Sequence, residues 1–238
     1  MWKRLVVLVA MMALSPLSLS GAEAITVPGT SNPWLAGMPN GSTDGGMDEA
    51  PANSPVLVPS VNLDAGAVLT FSAAGLVSNG PCCPLVGPDG GAFASHAFAD
   101  ENGISDVSAP VNSLLGVFLD DSQPDASAVP GALNFATIGL DFASLSPLLK
   151  QVFFIGDGLT AEGSGTLQSF EIPTGATRLF LGTMDGFGWF NNLGAFEVTV
   201  TPQQTAVPEP ATVILLLGGV AGLAAWRVAG DRRSPWRR

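Results

Sequence analysis

The densest set of oxygen donors in the chain is Asp185-Gly-Phe-Gly-Trp-Phe-Asn-Asn192-Leu-Gly194. One carboxylate, Asp185, and two carboxamides, Asn191 and Asn192, fall within eight residues. Gly186 and Gly188 let the backbone between them curl. Hard cations such as Ca2+ collect several oxygens from carboxylates, Asn side chains and backbone carbonyls. The loop therefore points to calcium, and a plain Asn- and Gly-rich hairpin turn is the competing reading. Phe187, Trp189 and Phe190 bracket it. Core packing is expected of the two phenylalanines, leaving Trp189 as an exposed stacking platform.

Cys82 and Cys83 are the only cysteines. Their adjacency rules out a Cys-x-x-Cys zinc or redox site. Outside the cytoplasm the pair has three fates: a strained vicinal disulfide, cross-links between chains, or two free thiols.

Catalytic patterns are absent. His96 is the one histidine, in Ala94-Ser-His-Ala-Phe98, and reads as a surface loop residue. Asp100-Glu101 and Asp120-Asp121 are paired carboxylates of the kind glycosidases use. Neighbours on a strand face opposite ways, however, and both pairs sit in acidic, loop-like stretches. No Gly-x-Ser-x-Gly and no phosphate-cradling glycine loop occurs. A non-catalytic protein is expected.

The elements that must position these loops are strands. Short apolar or alternating segments recur at 55–63, 67–74, 114–119, 151–155, 166–172, 178–183 and 195–201. In the last, Phe196, Val198 and Val200 alternate with Glu197, Thr199 and Thr201, the period of a half-buried strand. Asp64-Ala-Gly66, Gly87-Pro-Asp-Gly90, Asp157-Gly158, Pro173-Thr-Gly175 and Asp185-Gly186 supply the turns. The pattern predicts an all-β fold, an antiparallel β-sandwich or jelly roll over residues 56–202. Residues 25–55, rich in Gly, Pro, Asn and Asp around Trp34, read as an irregular arm over it. Residues 92–112 and 120–132 read as acidic loops.

Both ends are delivery signals. Lys3 and Arg4, the apolar run Leu5–Leu14 and Ala22-Glu23-Ala24 make a signal peptide over residues 1–24, cleaved after the small residues Ala22 and Ala24. At the other end, the 203–210 linker carries Pro208-Glu209-Pro210. A hydrophobic segment follows at 211–226, then an Arg-rich tail at 227–238. The segment is short of the ~20 residues that cross a bilayer, but Trp226 and snorkelling arginines extend it, as a transmembrane-type helix with the basic end in the cytoplasm. Between the signals, Lys150 and Arg178 face seventeen carboxylates. Such a body does not bind nucleic acid. Its acidity suits solubility outside the cell or divalent cations.

Two resemblances sharpen these readings. The Pro-Glu-Pro, hydrophobic segment and arginines resemble the PEP-CTERM sorting signal of Gram-negative bacteria. That resemblance implies export, an exosortase partner that cleaves near the motif, membrane tethering before cleavage, and a cell-surface or extracellular fate. The body resembles the calcium-dependent lectin of the galactophilic bacterial type, a small jelly roll, over residues 56–90 and 151–201. The matching residues are Ala73–Gly75, Gly80-Pro81 and Gly87–Gly90, then Asp185, Asn191-Asn192 and Gly194. It implies calcium on the side chains of Asp185, Asn191 and Asn192, with carbonyls from Asn79 and near Trp189. A carbohydrate partner follows from it, and the association of exosortase systems with exopolysaccharide implies an exopolysaccharide one. The alternative is a structural surface or matrix protein in which calcium is only structural or absent.

Overall fold

Two apolar runs form the centre of the fold. Leu114–Leu119 is buried at every position, and it pairs antiparallel with Arg178–Thr183 along its whole length, Leu119 opposite Arg178 and Leu114 opposite Thr183. A computed structural model describes residues 24–59 and 61–203. In it these two strands lie inside a four-stranded sheet, ordered Val56–Leu57, Arg178–Thr183, Leu114–Leu119 and Val152–Phe154.

A second sheet has five strands, in the order Ala24–Pro28, Leu193–Gln203, Val68–Ser78, Ser169–Glu171 and Ser144–Leu145. Its heart is the antiparallel pairing of Leu193–Gln203 with Val68–Ser78, eleven residues long. The alternation read from sequence is realised there. Phe196, Val198 and Val200 are buried, while Glu197 and Thr201 are exposed. The ladder passes Gly75 and Gly194 at positive φ. A Cβ on either would overlap the carbonyl of Ala195 or Leu76 across the strand pair, so glycine is required at both.

Aromatic rings join the sheets. Phe71 and Phe170 of the five-stranded sheet meet edge to face at 5.0 Å, and Phe118 and Phe153 of the other stack at 5.3 Å. Phe153 and Phe170 close the gap between them at 5.6 Å. Each such burial contributes about 1.5–3 kcal/mol. Two smaller sheets complete the fold: Phe93–Ser95, Val107–Pro110 and Leu133–Asn134, and the hairpin Leu159–Ala161 with Ser164–Leu167. Among the described residues the all-β expectation holds, with one α-helical turn at Phe135–Ile138.

Three expectations are corrected. The arm is not irregular from its start, because Ala24–Pro28 is an edge strand paired with Leu193–Gln203. Ile25 and Val27 point inward from it, so two alternating apolar residues suffice where a ready strand edge waits. Residues 92–112 are not all loop, since they hold two of the short strands. The strand expected over 55–63 shrinks to Val56–Leu57. The signal-peptide helix with Ala22, the Pro208-Glu209-Pro210 motif, the hydrophobic segment and the Arg-rich tail lie outside the described residues. Among the described residues no helix is long and apolar enough to cross a membrane.

Candidate functional site

The structure brings the two chemically rich loops to one rim. Leu193 pairs with Ser78, so the loop before the long final strand and the loop after its partner emerge side by side. A Cβ on Gly80 would lie 3.2 Å from Asn191 Oδ1. The Asp185 charge is felt at the Cys83 thiol, which is pushed up by the Cys82 sulfur first, then by burial and by Asp185. Ser78 Oγ donates to the carbonyls of Gly80 at 2.6 Å and Cys83 at 3.0 Å, fixing the turn that carries the cysteines. The sulfurs of Cys82 and Cys83 lie 3.3 Å apart.

Asp185 is buried, and its Oδ1 accepts the N–H groups of Gly186 at 2.6 Å and Phe187 at 3.4 Å. Burial pushes its carboxyl above the ordinary range, partly offset by the Phe187 N–H, the Asn192 side chain and the Gly186 N–H. Gly188, in the left-handed region, opens a short 3-10 turn over Trp189–Asn191. The Trp189 carbonyl closes that turn by accepting from Asn192 N at 3.0 Å. Asn192 Nδ2 donates to the Gly29 carbonyl at 3.0 Å. Its Oδ1 is buried with no hydrogen-bond partner among the described residues. Asp185, Asn191 and Asn192 therefore share one loop end, with the Asn79–Gly80 backbone beside them.

The aromatic expectation is reversed. Trp189 is fully buried, whereas Phe187 and Phe190 are 48% and 44% exposed. The reason lies in the indole N–H, which donates to the Thr183 carbonyl at 2.8 Å while the ring packs against Trp34 and His96. A phenylalanine offers no such bond.

His96 is likewise not a surface residue. It is 4% exposed, and its ring stacks on Trp34 at 4.0 Å and 14°. Burial lowers its pKa from the ordinary value, against the Ala99 carbonyl and the charges of Asp44 and Asp106. Trp34 belongs to the arm, in a turn begun by Asn32, whose Oδ1 accepts Trp34 N at 2.9 Å. Asn32 Nδ2 donates to Asp44 at 2.7 Å. Further along the arm, Asp48 reaches across and accepts Trp189 N at 2.9 Å and Phe190 N at 2.7 Å. The arm thus holds the 185–192 loop in shape. Sequence reading missed this because the partners lie far apart along the chain. The isolated Trp34 amid Gly, Pro and Asn was the one signal that the arm is anchored.

Burial, with a smaller contribution from Asp44, pushes the Asp48 carboxyl up to about 6, against the two backbone donors. In the unfolded chain Asp48 ionises near its ordinary value of 3.8. Between those values the native state holds the extra proton, so stability falls as pH rises through that window and levels off above it. Melting curves from pH 4 to 6.5 should show this decline. Asp48→Asn, less stable throughout, should show a shallower decline, because the raised carboxyl of Asp185 remains, so the gap between the two proteins narrows toward pH 6. Equal slopes in both would remove Asp48 as the cause.

The fold and rim define an all-β body whose loops converge on a buried carboxylate and its amide neighbours. The tail defines the rest. Residues 206–233 match the PEP-CTERM protein-sorting motif, the mark of an exported protein that is anchored in the membrane, processed by exosortase and delivered to the cell surface. No curated protein matches the chain.

Proposed function

We propose that this exported chain is a non-catalytic binding module, a β-sandwich of jelly-roll type that holds Ca2+ on Asp185, Asn191 and Asn192 and binds carbohydrate or exopolysaccharide there. Carbonyls of Asn79 and Trp189 would complete the ligand set. The observation that carries the reading is Asn192 Oδ1, a buried amide oxygen without a partner, next to a buried carboxylate. Such an oxygen costs stability unless something occupies it, and a hard cation is the group these donors suit. Phe187 and Phe190, exposed on the same loop, offer apolar faces of the kind that stack on sugar rings. They take the platform role that sequence alone gave to Trp189.

A second reading is a structural surface or matrix protein in which calcium is only structural or absent, and with no calcium this loop is only a turn. Asp185 Oδ1 favours it, since that oxygen already accepts two backbone donors from its own turn. A calcium titration of the melting temperature, with magnesium and EDTA controls, separates the two. A ligand that binds only the folded state stabilises it by ~2.7 kcal/mol at a hundredfold excess over Kd. The expected result is a calcium-specific rise that Asp185→Ala abolishes, with glycan-array binding that requires calcium. No rise in the parent protein refutes the calcium site. A rise without any sugar binding leaves the structural reading.

A further inference from the structure

We propose that Asp44, His96 and Glu101 form a second, separate cation site, one for a divalent transition-metal ion of the Zn2+ class. The three come from two segments that the arm brings together: Asp44 from the arm, His96 and Glu101 from the loop after Phe93–Ser95. One donor atom of each lies within 4.8 Å of the other two.

The chemistry of His96 sets the kind of ligand. Its Nδ1 lies 2.9 Å from the Ala99 carbonyl, which can only accept, so Nδ1 carries the proton. The lone pair then sits on Nε2. That atom is buried, has no hydrogen-bond partner among the described residues and faces Glu101 Oε2 at 3.6 Å, beyond hydrogen-bond reach. Glu101 Oε2 is unpartnered too. A ring nitrogen fixed by a carbonyl on its far side is the usual arrangement of a metal-binding histidine.

Charge points the same way. Asp44, Asp48 and Glu101 crowd one buried region, and no basic side chain among the described residues reaches it. Lys150 is spent on the Pro124, Ser127 and Ala128 carbonyls. Arg178 is spent on the carbonyls of Asp120 and Ser122. A mixed nitrogen and carboxylate set suits zinc and its neighbours, whereas calcium prefers oxygen throughout. Bound there, the ion would staple the arm to the body beside Trp34.

The test is equilibrium dialysis of the full chain in detergent micelles against Zn2+, with bound metal measured by mass spectrometry. A Cys82→Ser, Cys83→Ser background removes the thiols as competing ligands. The expected result is a single zinc site per chain, with binding at least about ten-fold weaker in Glu101→Gln and in His96→Ala. The exposed Asp125→Asn should bind like the parent. His96 packs against Trp34, so if His96→Ala does not fold, the isosteric Glu101→Gln decides alone. A parent that takes up no zinc, or a Glu101→Gln chain that binds as tightly as the parent, overturns the assignment.

Discussion

Replacing Trp34 with alanine should lower the unfolding free energy by about 3–5 kcal/mol, the range for a fully buried tryptophan. The ring has no solvent exposure, stacks on His96 at 4.0 Å and meets Trp189 at 5.4 Å. Its Nε1 donates to the Ser105 carbonyl at 3.1 Å, a bond lost together with the ring. Domains of this kind are stable by only about 5–15 kcal/mol, so the variant should sit at the edge of folding at room temperature. Trp34→Phe keeps most of the apolar contact and gives up the hydrogen bond, which predicts a loss nearer 1 kcal/mol. Denaturant unfolding of both measures the difference. A Trp34→Ala loss below about 1 kcal/mol would mean that the arm is dispensable and does not support the 185–192 loop.

The second large effect concerns delivery. Changing Pro208, Glu209 and Pro210 together to alanine should block processing in a host that contains exosortase. The chain should then stay full-length in the membrane fraction while the parent loses its tail. The hydrophobic segment and arginines are untouched in this variant, so insertion itself should proceed. An immunoblot of membrane and surface fractions, with mass spectrometry of the C-terminal peptide, reads the result. Identical processing of variant and parent would show that the motif is not what the enzyme recognises. The effect is close to all-or-none, unlike the graded losses expected within the β-rich body.

Much of the strand pattern was legible because its causes are local. Leu114–Leu119 and Arg178–Thr183 are apolar runs bounded by turn residues, and the structure keeps both at the boundaries read from sequence. Ala24–Pro28 was not legible. Its two inward residues make too short an alternation to register, and the strand exists because Leu193–Gln203 offers it an edge. The same division runs through the rim. Asp185, Asn191 and Asn192 announce themselves by spacing, whereas the environment of His96 is made by Trp34 and Asp44, which no local pattern links to it. The inversion of Trp189 and its flanking phenylalanines teaches the same point. Three aromatics within four residues say that the core will take some of them, and only the carbonyl of Thr183 says which.

The long final strand has a mechanical consequence. Leu193–Gln203 is flanked on both sides, by Ala24–Pro28 and by Val68–Ser78, and both neighbours run antiparallel to it. A few residues beyond Gln203 the chain enters the sorting motif that seats it in the membrane. Drag on the body would therefore arrive along the axis of this strand, across hydrogen bonds that lie perpendicular to it. Those bonds bear the pull together and must shear as a group, instead of unzipping one after another. Until exosortase removes the tail, its attachment to an interior strand should make the anchorage resistant to tension, with the unfolding rate setting how long the body survives the pull.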